Sequence, residues 1–297
     1  MKVALVTQSY KNDFRECQLL CESIDRFAPD NIMHFIFVND EDYQMFKNIE
    51  NKKHKVYKKG TIMPWYFIRI PWKMMGHHFH ISLFSIPVRE WILQQICKFG
   101  VFNVIGKEYD AVFNVDSECV FMRPFSIDEL MKEGKFYMYK NEKITQPSHD
   151  DYYEAARKLF NNQQIGGGIT YDYMTTPVCF QRDNMDKMLK EIASHNIFKS
   201  WKLALCNTYR FSEYYLYGIF CSEINNINDT NHTIIKKRLF PMINISGSSS
   251  EEMLRESIAE VISDRSIIGL FMQKGNRKIG YYIDYDTKSR VVKGFWK

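Results

Sequence analysis

Strand and helix patterns alternate through the first 60 residues, and that order leaves few folds open. Val3, Ala4, Leu5 and Val6 form a short apolar run that ends in Thr7-Gln8-Ser9. From Asp13 to Phe27 the apolar residues Phe14, Cys17, Leu20, Cys21 and Ile24 recur at helical spacing, and Pro29 stops the helix. His34 to Val38 make a second strand ending in Asn39-Asp40, a charged helix follows around Asp42 to Ile49, and His54 to Tyr57 make a third strand. A βαβαβ start predicts an α/β protein with a mainly parallel central sheet flanked by helices and a ligand site at the carboxyl ends of its strands. No GxGxxG follows the first strand and no GxxxxGK[ST] occurs, which disfavours a dinucleotide site and a P-loop.

Residues 109–125 read YDAVFNVDSECVFMRPF. Ala111, Val112, Phe113 and Val115 supply strand-forming bulk, and Val120, Phe121 and Met122 resume it after Asp116-Ser117-Glu118. Carboxylates two residues apart share a side of a strand, and a bend there lets both reach one hard cation such as Mg²⁺ or Mn²⁺, which can grip a diphosphate. The same triplet also suits a solvated turn, since Asp and Ser favour turns.

With 297 residues and 45% hydrophobic content the chain can bury a sizeable core. The net charge of +5 is modest, and the basic clusters Lys52-Lys53, Lys58-Lys59 and Lys236-Lys237-Arg238 interleave with no nucleic-acid motif, so no nucleic-acid partner is expected. Such clusters are solvated faces, or they rest on an anionic lipid surface. Seven cysteines without CxxC pairing fit reduced, buried thiols in the cytoplasm. The amino terminus is too short in apolar residues for a signal peptide, and no segment reaches the ~20 apolar residues needed to cross a bilayer. A soluble protein is expected, cytoplasmic or peripheral at the inner face of the cytoplasmic membrane.

Residues 61–90 are rich in aromatics, Met and His. His77, His78 and His80 stand together, but without a Cys or carboxylate at ligand spacing they suit core or groove lining better than zinc. Trp91 to Phe99 predicts an amphipathic helix with Ile92, Ile96 and Phe99 inward; Gln95 and Lys98 share another face, where Lys98 is either solvated or a phosphate contact. Helices are predicted from Tyr152 to Asn161 and Asp183 to Ile192, with a strand over Pro177 to Phe180. Gly166-Gly167-Gly168 suits a flexible acceptor-side loop or a hinge. In the segment from Phe211 to Phe220, Ser212 is placed as an N-cap and Glu213 favours the helix start. Ser249 with Glu252 forms a capping box opening a helix to Ile262, and Ile279 to Lys297 reads as a hairpin around Asp284 to Lys288.

In order along the chain, the βαβ start, Gln94-Gln95-Ile96-Cys97-Lys98, the strand ending in Asp116-Ser117-Glu118 with CVFMRPF, TTPVCFQRDNMDKML and FSEYYLYG resemble bacterial GT-A glycosyltransferases. More narrowly, they are similar to a group found with capsule and O-antigen synthesis genes. The resemblance covers most of residues 1–222 and is weak beyond; it implies a GT-A-like catalytic domain over 1–222 with a helical and hairpin extension, 223–297, packed on it. It implies sugar transfer from a nucleotide-sugar donor, a UDP-sugar above all, to a saccharide or lipid-linked saccharide acceptor, with Mn²⁺ or Mg²⁺. By position, Asp116 and Glu118 fall to the metal; Thr7, Gln8, Ser9, Asn39, Asp40, Gln95, Lys98, Asp116 and Ser117 to the nucleotide and donor; and Glu213, with Asp116, to catalysis. Glu118 stands where the group carries Asp, which leaves metal-independent action open. A non-catalytic nucleotide- or carbohydrate-binding protein, or another nucleotide-dependent transferase, is the alternative.

Overall fold

A computed structural model of the chain describes residues 1–70, 72, 78–142, 148–245, 250–274, 279–283, 285 and 291–295. In chain order the elements that position the site are β1 (Val3–Gln8), α1 (Phe14–Phe27), β2 (Met33–Val38), β3 (His54–Lys58), α2 (Glu90–Gly100), β4 (Ala111–Asn114) and β5 (Cys119–Phe121). They are followed by β6 (Lys135–Tyr139), α3 (Ser148–Leu159), β7 (Val178–Gln181), α4 (Arg182–Ser194), α5 (Glu213–Ile219), β8 (His232–Ile235), β9 (Met242–Ile245), α6 (Glu251–Ser263) and β10 (Gly269–Lys274). The helices at 14–27, 90–100, 148–159 and 182–194 lie within a few residues of the spans that periodicity predicts.

The central sheet runs β7-β4-β1-β2-β3, with β4, β1, β2 and β3 parallel and β7 antiparallel at the edge. Alternation along β1 sends Val3 and Leu5 into a layer with Leu20 and Ile24 of α1, while Ala4 and Val6 enter the opposite layer with Ile92, Ile96 and Phe99 of α2. The α/β class with a mainly parallel, helix-flanked sheet is therefore the one its strand and helix order predicts. Because β1 hands off to β2 on one side and β4 on the other, the topological switch point falls between β1 and β4.

Three-stranded pairing outside this sheet was not legible in the sequence. β5 pairs antiparallel with β10, which pairs parallel with β9, and β6 pairs parallel with β8. α6 covers the β9-β10 side through Leu254 and Ile258. Its N-cap is Ser250, whose Oγ accepts from Met253 N at 3.1 Å, one residue beyond the expected Ser249, which lies outside the described residues. Strands Ile279–Ile283 and Val291–Phe295 pair antiparallel as the hairpin reading expects; most of its turn, Asp284 to Lys288, lies outside the described residues.

The aromatic stretch before α2 lines grooves, as expected, and does not enter the core: His78 lines the larger cleft described below, and Trp65 and His80 a smaller one. Ile68–Arg69, Phe79–Ser82 and Ser85–Arg89 form a small antiparallel sheet that leaves Trp65 91%, Leu83 97% and Trp72 66% exposed. His77 lies outside the described residues. All seven cysteines are free and buried. Among the described residues no helix is long and apolar enough to cross a membrane.

Candidate functional site

Every parallel strand of the central sheet runs out into polar residues on one rim. Gln8 at the end of β1, Asn39 after β2, Lys59 after β3 and Asp116-Ser117-Glu118 after β4 all line a single cleft of about 680 Å³, a size suited to a nucleotide-scale ligand. A hollow of about 540 Å³ lined by Asp151, His195 and Arg210 is set apart from the strand ends.

The acidic triplet is clamped to β1. Ser117 Oγ donates to Gln8 O at 3.2 Å and lies 3.0 Å from Ser9 Oγ, while Cys119 N closes a turn on Asp116 O at 3.0 Å. The bend that lets Asp116 and Glu118 share the cleft is thus fixed by backbone and hydroxyl groups. Burial above all, then the Asp13 and Asp116 carboxylates, push the Glu118 carboxyl up to about 7. Among the described lining residues, the carboxylates of Asp13, Glu41, Asp42, Glu90, Asp116 and Glu118 outnumber the cations of Lys11, Lys59, Arg69 and Arg89. Excess negative charge in a half-buried place is the donor chemistry of a hard cation, and Asp116 with Glu118 fits Mg²⁺ or Mn²⁺.

Behind the wall sits a buried ion-pair network. Lys98 Nζ donates to Glu213 Oε1 at 2.7 Å, to Asp116 Oδ1 at 3.1 Å and to Tyr214 Oη at 3.2 Å, and Tyr214 Oη donates to Asp116 Oδ2 at 3.1 Å. Burial works against the Lys98 charge, but the Asp116 and Glu213 carboxylates outweigh it and hold the ammonium above its ordinary range.

This arrangement brings Gln8, Asn39, Asp116, Ser117 and Glu118 together on the cleft and places the other expected site residues elsewhere. Glu213 does not line the cleft; it is buried in the Lys98 pair, so it is not placed as an acceptor base. Lys98 turns its protons to these partners and not to the cleft, because a buried ammonium is stable only when such groups surround it. Gln95 is also behind the wall: its Oε1 accepts from Glu213 N at 3.0 Å and caps α5 in place of Ser212, whose Oγ makes no cap bond. Thr7 is fully buried, donating to Val115 O at 2.8 Å, and Ser9 meets Lys59 Nζ through its carbonyl at 3.0 Å. Asp40 accepts from Gly60 N at 2.9 Å and lines a smaller adjoining cleft of about 310 Å³. The glycine triplet is not part of the cleft; Gly166 and Gly168 have φ of +68° and +132°, and Gly166 N donates to Glu223 Oε2 at 3.2 Å.

Lys59, Arg69, Arg89 and Gln94 line the cleft without having been expected there. Lys59 carried a usable signal, its place directly after the third strand, masked by the adjacent Lys58. Its Nζ is buried against Ser9 O and Asn39 Oδ1, at 3.0 and 3.1 Å. Gln94 and Gln95 are neighbours on α2, and the helix faces Gln94 to the cleft and Gln95 to α5.

Fold and site define a doubly wound α/β protein with a polar cleft at the switch point of the sheet. The chain belongs to DUF6492, a family of unknown function, whose pattern matches residues 2–250. No curated protein matches its sequence. Among solved structures it is similar to mouse xyloside xylosyltransferase 1 in its apo form, at 10% identity and a TM-score of 0.44, covering 91% of this chain and 97% of that one. It is also similar to a galactosyltransferase, LgtC, in complex with donor and acceptor sugar analogues, at 10% identity and 0.41, covering 91% and 86%. A third, 4-diphosphocytidyl-2C-methyl-D-erythritol synthase from Anaerococcus prevotii, matches at 8% identity and 0.38, covering 78% and 86%.

Proposed function

We propose that this chain is a glycosyltransferase that moves a sugar from a nucleotide-sugar donor, a UDP-sugar by preference, to a saccharide or lipid-linked saccharide acceptor in surface polysaccharide or lipooligosaccharide synthesis. The observation that carries this is the convergence of four parallel strand ends and the clamped Asp116-Ser117-Glu118 bend on one cleft at the switch point.

The chain's own residues divide the work. Gln8 is only 3% exposed, yet neither its Oε1 nor its Nε2 has a partner, so its amide offers a donor and an acceptor to the polar edge of a base at the cleft wall. Lys59, Arg69 and Arg89 supply positive charge for phosphate oxygens. Asp116 and Glu118 would hold Mn²⁺ or Mg²⁺, which when bound neutralises charge on a leaving diphosphate. Lys98 and Tyr214 orient Asp116 from behind and keep both of its oxygens in place.

Exposed Trp65 and Leu83 suit a lipid-linked acceptor and a peripheral contact with the inner membrane face, because Trp65 also lines the smaller cleft that shares Asn39, Arg69 and Glu90 with the main one. A non-catalytic nucleotide-binding protein is the second possibility, favoured by the burial of Glu213 away from the cleft.

Calorimetric titration with UDP and UDP-sugars, with and without Mn²⁺, tests the donor site. Binding that needs Mn²⁺ and disappears in Asp116→Asn is expected. No nucleotide binding under any of these conditions would overturn the proposal. Release of UDP on adding acceptor separates the enzyme from the binding protein.

A further inference from the structure

A second polar cluster lies beneath α1, away from the cleft. His34 and His54 are register partners on β2 and β3, fully buried on the face that carries Ile36, Val38 and Val56. Their Nδ1 atoms face each other at 3.0 Å, Cys21 Sγ of α1 is 3.9 Å from His34 Nδ1, and the three donor atoms all lie within 4.8 Å of one another.

The outer ring nitrogens decide what the inner ones can be. His34 Nε2 is 2.8 Å from Thr7 Oγ1, whose own proton goes to Val115 O, so Thr7 accepts and His34 must carry its proton on Nε2. His54 Nε2 faces the Asp25 carboxylate at 3.2 Å, off the axis of a full hydrogen bond but again toward an acceptor. With the His34 proton on Nε2, its Nδ1 presents a lone pair to His54 Nδ1 at 3.0 Å and to the Cys21 thiol at 3.9 Å, so three atoms of metal-ligand type converge on one buried point.

We propose that Cys21, His34 and His54 supply three ligands to a binding site for a soft divalent metal ion of the zinc class. Tetrahedral zinc with bonds of about 2.0–2.3 Å separates its ligand atoms by roughly 3.3–3.6 Å, between the two distances found here. Thr7 and Asp25 serve as the outer partners that fix ring orientation, as acceptors do behind metal-bound histidines. Nitrogen and sulfur ligands in a closed, fully buried place select a soft ion and a structural role, whereas the oxygen ligands of the cleft select a hard one. The bound ion would join α1, β2 and β3 and, through Thr7 and Val115, brace the strand that leads into Asp116. This inference is independent of the glycosyltransferase proposal.

The test uses the full chain, stripped with chelator, desalted, and reloaded with Zn²⁺ or Co²⁺ alone. One zinc per chain should survive desalting, and Co²⁺ should give the near-ultraviolet thiolate charge-transfer band in the wild type and in Asp116→Asn. Cys21→Ser, a near-isosteric change, should lose that band and bind zinc at least tenfold more weakly. Failure of the wild type to retain zinc or show the band overturns the site without reference to any variant's folding, and so does an unchanged band in Cys21→Ser.

Discussion

Glu118 stands between a proton and a cation. Its folded pKa, raised from 4.5 to about 7, means that its protonated form favours folding, a contribution present below 4.5 and lost as pH rises through 7. Glu118→Gln should therefore narrow the difference in melting temperature between pH 5 and pH 8 measured without metal, and an unchanged difference would refute the shift. Cation binding has the opposite pH dependence: it should weaken about tenfold per unit below pH 7 in the wild type, as one proton must leave. At Glu213 the expected outcome is structural. Glu213→Gln leaves Lys98 with Asp116 as its remaining charged partner, so it should cost about 1–3 kcal/mol in denaturant unfolding, short of the roughly 3–5 kcal/mol for a buried charge left alone. A loss of turnover beyond what lower stability explains, with folding intact, would restore a catalytic part. That Asp116 and Glu118 sit together at a strand end was legible in the sequence, because the apolar run before them and its resumption after them are local signals. Lys98, Glu213 and Gln95 were not, because their partners lie 115 and 118 residues away and a helical face cannot say which distant group will meet it.

α5 shows the same limit at the scale of an element. A Ser in the N-cap position with Glu after it describes a self-sufficient helix start, yet the cap is supplied by Gln95 from α2. Tertiary context overrode local preference there because Gln95, itself buried, needed an N–H as much as the helix needed an acceptor. Gly218 near the end of α5 has a comparable reason. A Cβ there would sit 2.2 Å from Tyr173 Cδ1, and that ring is held by its hydroxyl to Glu223 Oε1 at 2.7 Å, so it cannot swing aside freely. Gly218→Ala should cost about 1–3 kcal/mol by overpacking, read as a lower denaturation midpoint at constant slope. A neutral result would mean that the Tyr173 side yields.

For the whole molecule, we propose that residues 223–297 extend the one domain and do not form a separable unit. β10 is the strand partner of β5, Lys274 of β10 forms a buried ion pair with Glu16 of α1, and Phe240, Leu270 and Met272 are buried in the shared layers. A chain ending after residue 250 should lose cooperative thermal unfolding by circular dichroism; a melt near that of the full chain would refute this. β1, β2 and β3 were legible because each passes to its neighbour through one short helical connection, while the β1-β4 and β5-β10 pairings join segments more than 100 residues apart and leave no local trace. The β5-β10 separation also sets a timetable on the ribosome. At about 5–20 residues per second, synthesis needs on the order of ten to thirty seconds between the appearance of Phe121 and of Gly269. Throughout that interval the strand after the acidic bend lacks its β10 partner, an open edge that an aggregating neighbour or a chaperone would reach before the matching strand is made.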